Sequence, residues 1–117
     1  MPAPQPPRLQ IDTADRNGAL VLSLSGELDA GTTEQLERSL SGILDPRPLV
    51  VLDLHALSFV DSFGVNMLFR TREWAEVRNV TLRVVRAPVH VQRLLALAAL
   101  DGSMGPFYAD VTAALRD

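Results

Sequence analysis

A chain of 117 residues fits one domain and is long enough to bury a core without covalent staples. It contains no cysteine, which excludes a disulfide framework, a thiol nucleophile and thiolate metal sites, and it suits a reducing compartment. The net charge is −3, every basic side chain is arginine, and no basic-aromatic run occurs, which argues against nucleic acid as a partner.

Charge is uneven along the chain. Nine acids face three arginines from Asp12 to Asp61, and six arginines face two acids from Arg70 to Arg93. This pattern reads as two solvated faces of one domain, or as a dipolar surface that orients a partner during encounter. Met1–Pro7 lacks the basic and apolar regions of a signal peptide, and its four prolines forbid a helix. Residues 1–8 are therefore read as a flexible Pro-rich arm and residues 9–117 as the domain. No apolar stretch reaches membrane-spanning length, so no membrane insertion is expected and the expected location is the cytoplasm.

Leu9 and Ile11 alternate with polar residues as in a strand. Asn17-Gly18 supplies two residues that tolerate positive φ, and Leu20, Leu22 and Leu24 resume the alternation, so a β-hairpin opens the domain. Its second strand ends at Gly26-Glu27-Leu28-Asp29. Thr32 and Gln35 have capping-box spacing, and Leu36, Leu40, Ile43 and Leu44 recur at helical spacing up to Asp45-Pro46. Leu49–Leu54 is almost wholly apolar, the pattern of a strand buried on both faces, with His55 in the loop behind it. Phe63–Val77 carries Val65, Met67, Leu68, Phe69 and Trp74 as a wide apolar helix face. Val80–Val85 is the next strand, and Pro88 opens a helix with Val91, Leu94, Leu95 and Ala98 inward and Gly102 as its cap. Pro106-Phe107-Tyr108 suggests a short edge strand, and Asp110 caps a last helix through Leu115. Strands and helices alternate after the hairpin. An α/β domain follows: a mixed sheet of four to five strands, parallel beyond the hairpin, with about four helices and right-handed crossovers.

Function in open α/β sheets gathers beyond the carboxyl ends of strands. Two junctions stand there, Glu27-Leu28-Asp29-Ala30-Gly31 and Phe59-Val60-Asp61-Ser62-Phe63-Gly64. Ser62 precedes a helix by one residue, so its hydroxyl reads as an N-cap worth about 1 kcal/mol. It also reads as a phosphate acceptor, because a phosphate there meets free N–H groups and the positive end of the helix dipole. Adding about two negative charges beside Asp61 acts on a partner rather than on the fold.

These junctions carry a specific resemblance. Gly26-Glu27-Leu28-Asp29, Val51-Leu52-Asp53-Leu54 and Leu57-Ser58-Phe59-Val60-Asp61-Ser62-Phe63-Gly64 resemble the STAS domain of anti-sigma factor antagonists, over a stretch from about Leu9 to Leu115. The resemblance implies that Ser62 is phosphorylated by an anti-sigma factor that is also a serine kinase. It implies that the unphosphorylated form binds that factor and frees a sigma factor. It places the partner surface on Asp29, Ala30, Thr32, Asp61, Ser62, Phe63, Val65 and Asn66. Two positions depart from the family pattern: Phe63 stands where a small residue is usual and Asn66 where glycine is frequent. Phe63 is expected to pack inward; the alternative is an exposed knob that alters partner choice or blocks the kinase. Ser58 is a fallback acceptor, read first as a loop or capping residue.

Other constellations carry less. Ser62, His55 and Asp53 lack a nucleophile elbow and an oxyanion loop. Asp53 and Asp61 flank one loop without further support for acid/base work. His55 and His90 lack metal-ligand spacing, so no metal is implied. No Gly-rich loop ends in Lys-Ser or Lys-Thr, so any ATP site belongs to the partner and no cofactor is expected. Met67 and Trp74 read as core. The expectation is a non-enzymatic switch, monomeric or weakly dimeric. A constitutive STAS adaptor, for example in a lipid-transporting ABC complex, is the alternative, and a hydrolase using Ser62 is the third class.

Overall fold

Alternating leucines on one strand and a doubly apolar neighbour dictate a sheet whose two faces are unequal. The computed structural model describes residues 7–43, 47–98 and 106–116. The strands are β1 (Leu9–Arg16), β2 (Ala19–Leu28), β3 (Leu49–Val60), β4 (Thr81–Val85) and β5 (Phe107–Tyr108). The helices among the described residues are α1 (Thr33–Ser41), α2 (Ser62–Val77), α3 (Val89–Leu97) and α4 (Val111–Leu115). The spatial order is β1-β2-β3-β4-β5, antiparallel between β1 and β2 and parallel elsewhere. The expected α/β mixed sheet is therefore present. Asn17 at φ 56 and Gly18 at φ 87 form the tight turn that their dipeptide predicts.

One face holds the main core. Leu22 and Leu24 of β2, Val50, Leu52 and Leu54 of β3, and Val84 of β4 meet Leu36 and Leu40 of α1, Leu68 of α2, and Val91 and Leu95 of α3. The other face is thinner: Val21, Val51 and Val85 lie under Ala114 of the short α4. Val50–Leu54 is buried without interruption, as expected of a central strand. Met67 is buried, and Trp74 is half-buried with the Arg78 guanidinium 5.0 Å from its ring centroid, so both belong to the core layer.

Several expectations are corrected. β3 does not stop at Leu54: its ladder with β2 continues to Leu28↔Val60 through two register shifts, so His55 and Ser58 are strand residues. The shifts break the period that marks a strand end in sequence. The capping box at Thr32 and Gln35 does not form. Thr32 Oγ1 instead donates to the Glu27 carbonyl at 2.8 Å and accepts from the Asp29 amide at 2.9 Å, while Gln35 Nε2 reaches the Leu9 carbonyl at 3.2 Å. Leu94 is 44% exposed, because α3 turns only Val91 and Leu95 fully inward. Pro106-Phe107-Tyr108 does deliver β5, and Asp110 Oδ1 accepts from the Ala113 amide at 2.8 Å to cap α4. Met1–Pro6, Leu44, Asp45, Pro46 and Gly102 lie outside the described residues.

Leu52→Ala, in the thick layer, is expected to cost about 2–5 kcal/mol, and Val21→Ala, under α4, to cost less; urea denaturation of both variants checks the order.

Candidate functional site

β2 and β3 run parallel, so their carboxyl ends emerge side by side. β2 releases the turn at Asp29–Thr32, and β3 releases Asp61 into α2. Asp61 joins the two. Its amide donates to the Leu28 carbonyl at 3.3 Å, its Oδ2 accepts from the Ala30 amide at 3.4 Å, and its Oδ1 accepts from the Gly64 amide at 2.9 Å. Asp61, and not Ser62, is thus the N-cap of α2, since its extended backbone (φ −111, ψ −173) aims the carboxylate at the third helical amide. Ser62 becomes the first helical residue and its side chain is exposed. The amides of Ser62 and Phe63 have no hydrogen-bond partner among the described residues.

Phe63 points outward and is 62% exposed, against the inward packing expected of it. Gly64 sets this phase. A Cβ at Gly64 would lie 2.2 Å from the Leu28 carbonyl oxygen and 2.6 Å from Val60 Cγ2, so the first turn of the helix packs directly against β2 and β3 there. Met67, Leu68, Thr71 and Ala75 continue the buried stripe. Phe63 lies off it, with Asn66 exposed and Val65 half-buried.

The β2–α1 turn is organised by Asp29. Its side chain is 14% exposed and accepts from the Arg8 guanidinium and from the Gly31 amide at 2.9 Å, with Thr32 Oγ1 3.3 Å away. The Arg8 hydrogen bond, with lesser help from the Gly31 amide, holds the Asp29 carboxyl below the usual carboxylate range despite partial desolvation. Asp29 in turn raises Arg8. Arg8 thereby ties the start of β1 to the β2–α1 turn. Its role was legible: the hairpin register centred on Asn17-Gly18 sets Arg8 opposite Glu27, beside Asp29. Among the expected partner residues, Ala30, Ser62, Phe63 and Asn66 are exposed, Asp29, Asp61 and Val65 are half-buried, and Thr32 is buried at 3% exposure inside its turn.

The remaining polar groups lie elsewhere. His55 Nδ1 is 3.0 Å from both carboxylate oxygens of the buried Asp53. The strand between them holds His55 roughly 20 Å from Ser62 and Asp53 roughly 25 Å from Asp61. Those separations leave neither a hydrogen-bonded triad nor a carboxylate pair: Asp53 lies within β3 and Asp61 just beyond its end, with strand rather than loop between them. Ser58 Oγ donates to the Gly26 carbonyl at 2.9 Å, and His90 Nε2 lies 2.7 Å from the Ser58 carbonyl. Among the described residues no group of three His, Asp or Glu side chains could hold a metal ion.

The family model of the STAS domain matches residues 10–114. The chain is 35% identical over 95 residues to the anti-sigma-F factor antagonist RsfB of Mycobacterium tuberculosis, covering 76% of this chain and 78% of that one. It is 31% identical over 113 residues to an anti-sigma F factor antagonist of Paenibacillus polymyxa, covering 93% and 94%. The crystal structure of an anti-sigma factor antagonist from Mycobacterium paratuberculosis superposes with a TM-score of 0.79 at 29% identity, over 92% of this chain and 91% of that one.

Asp61→Ala is expected to lose about 1–2 kcal/mol by urea denaturation and to speed amide exchange at Gly64 and Ala30 together. Because Asp29 is depressed, its stabilising link to Arg8 is complete at neutral pH and is lost as pH falls through the lowered value. In Arg8→Ala the Asp29 carboxyl should titrate at a higher pH than in the parent, as read by carboxyl NMR.

Proposed function

Because the chain belongs to the STAS domain family, we propose that it is an anti-sigma factor antagonist switched by phosphorylation of Ser62. The carrying observation is the placement of Ser62: an exposed hydroxyl on the first turn of α2, between Asp61 and the outward Phe63 and next to two amides unpaired among the described residues. In the unmodified state a partner meets a neutral hydroxyl flanked by an aromatic side chain that can fill an apolar pocket. The anti-sigma factor bound there releases its sigma factor. The same partner acts as the serine kinase and supplies ATP and its metal, so this chain is a substrate rather than a catalyst.

Transfer of the phosphoryl group replaces the Ser62 hydroxyl proton with about two negative charges. The Ser62 and Phe63 amides and the dipole of α2 favour that charge, so the fold tolerates it. A partner docked over Asp61 meets the same charge as repulsion and uncompensated desolvation, and leaves. The working place in this reading is the cytoplasm.

Intact mass after incubation with cognate anti-sigma kinases, ATP and magnesium should show one added phosphate, absent in Ser62→Ala. Ser62→Asp should keep its melting temperature and lose partner affinity at least tenfold, about 1.4 kcal/mol. No phosphate from any kinase that binds the protein would overturn the switch.

A further inference from the structure

We propose that the protein self-associates reversibly through the free edge of β1, two copies pairing antiparallel with Ala14 facing the second copy's Ala14. The proposal stands on the sheet edge alone and is independent of Ser62.

β1 ends the sheet, and its ladder with β2 runs unbulged from Leu9↔Gly26 to Arg16↔Ala19. Asp12 to Arg16 are all exposed. No proline or bulge blunts this edge, and its protection rests on the charges of Asp12, Asp15 and Arg16, which repel a second strand in some registers and pair with it in others. The direction of its main chain is fixed by two contacts. The Arg8 carbonyl accepts from the Glu27 amide at 2.7 Å, so even-numbered residues turn their main chain toward β2. Odd-numbered residues therefore turn theirs outward, and the outward Leu9 carbonyl is already taken by Gln35 Nε2 at 3.2 Å. Among the described residues, the part of the edge left free is the main chain of Ile11, Thr13 and Asp15.

Outward groups must meet outward groups, so odd residues face odd residues across the two copies. Registers that place Asp12 against Asp12 or Asp15 against Asp15 set like charges face to face. Centring on Thr13 drives each turn toward the Leu9 carbonyl that Gln35 covers. The remaining register puts Thr13 opposite the second copy's Asp15 and makes four main-chain hydrogen bonds around the axis. It puts Asp12 opposite the second copy's Arg16 on both sides of Ala14, all on the α4 face. Arg16 makes no ion pair or hydrogen bond among the described residues, so it is available for this contact. The two faces that meet are small and short, well under the roughly 1,200 Å² of stable interfaces, so the dimer is concentration-dependent. The hairpin end carries the contact and the opposite end of the sheet carries Ser62, so both copies keep that site open.

Sedimentation of the full chain over a wide concentration series should show a monomer–dimer equilibrium. The chain has no native thiol, so Ala14→Cys carries a single one. Under mild oxidation it should form a covalent dimer, because a non-hydrogen-bonded pair brings Cα atoms to about 4.5 Å, within disulfide reach. Thr13→Cys, displaced two residues from its copy, should not. Asp12→Arg and Arg16→Asp should each weaken the dimer at least fivefold, and the double variant should restore it. A chain monomeric throughout, cross-linking of Thr13→Cys as readily as Ala14→Cys, or a dimer indifferent to the charge reversals would overturn the proposal. So would protection of the Ile11, Thr13 and Asp15 amides only on adding a partner protein, which would assign the edge to that partner's strand.

Discussion

The Asp61 carboxylate is the constraint on which the site depends. One oxygen closes the first turn of α2 on Gly64, and the other holds the Ala30 amide of the neighbouring turn. Two loops that are remote in sequence become one surface. The same contact seats Gly64 against the Leu28 carbonyl, where no side chain fits, and this rotates Ser62 and Phe63 to the outside. A charged cap at this place does more than satisfy an amide, because it joins two turns and fixes which side chains of the junction are exposed.

The sheet separates stability from recognition. Three helices cover one face and supply most of the buried apolar surface, while α4 protects a smaller cluster on the other. β3 serves both layers through Val50–Leu54 and then runs on to Val60. Toward its far end only Leu57 and Val60 stay in the core, and between them the chain exposes Ser58 and Phe59 without loss of packing.

The fold was legible where local chemistry is unambiguous. Asn17-Gly18 can hardly be other than a tight turn, and the leucine alternation around it fixes a hairpin and its register. Leu49–Leu54 reads as a central strand because no half-exposed strand is so uniformly apolar. The site was legible in location but not in detail. Asp61 and Ser62 are both good capping residues, and only the backbone angle at Asp61 decides which one acts. Thr32 and Gln35 have the right spacing for a box, yet the carbonyls of Glu27 and Leu9, brought in by the sheet, compete for their side chains. Phe63 is apolar and its chemistry points inward, but the tight contact at Gly64 fixes the helix phase and turns Phe63 outward.

The bond between Asp61 and Ala30 spans 31 residues of chain, whereas the β1–β2 hairpin closes over a two-residue turn. Loop-closure entropy favours the hairpin early and the parallel β2–β3 pairing late. The recognition surface is therefore assembled only when the parallel pair is complete. A partly folded chain can own its hairpin and still lack the junction of Asp61 and Ala30, so the exposed turn of α2 is a mark of completed folding.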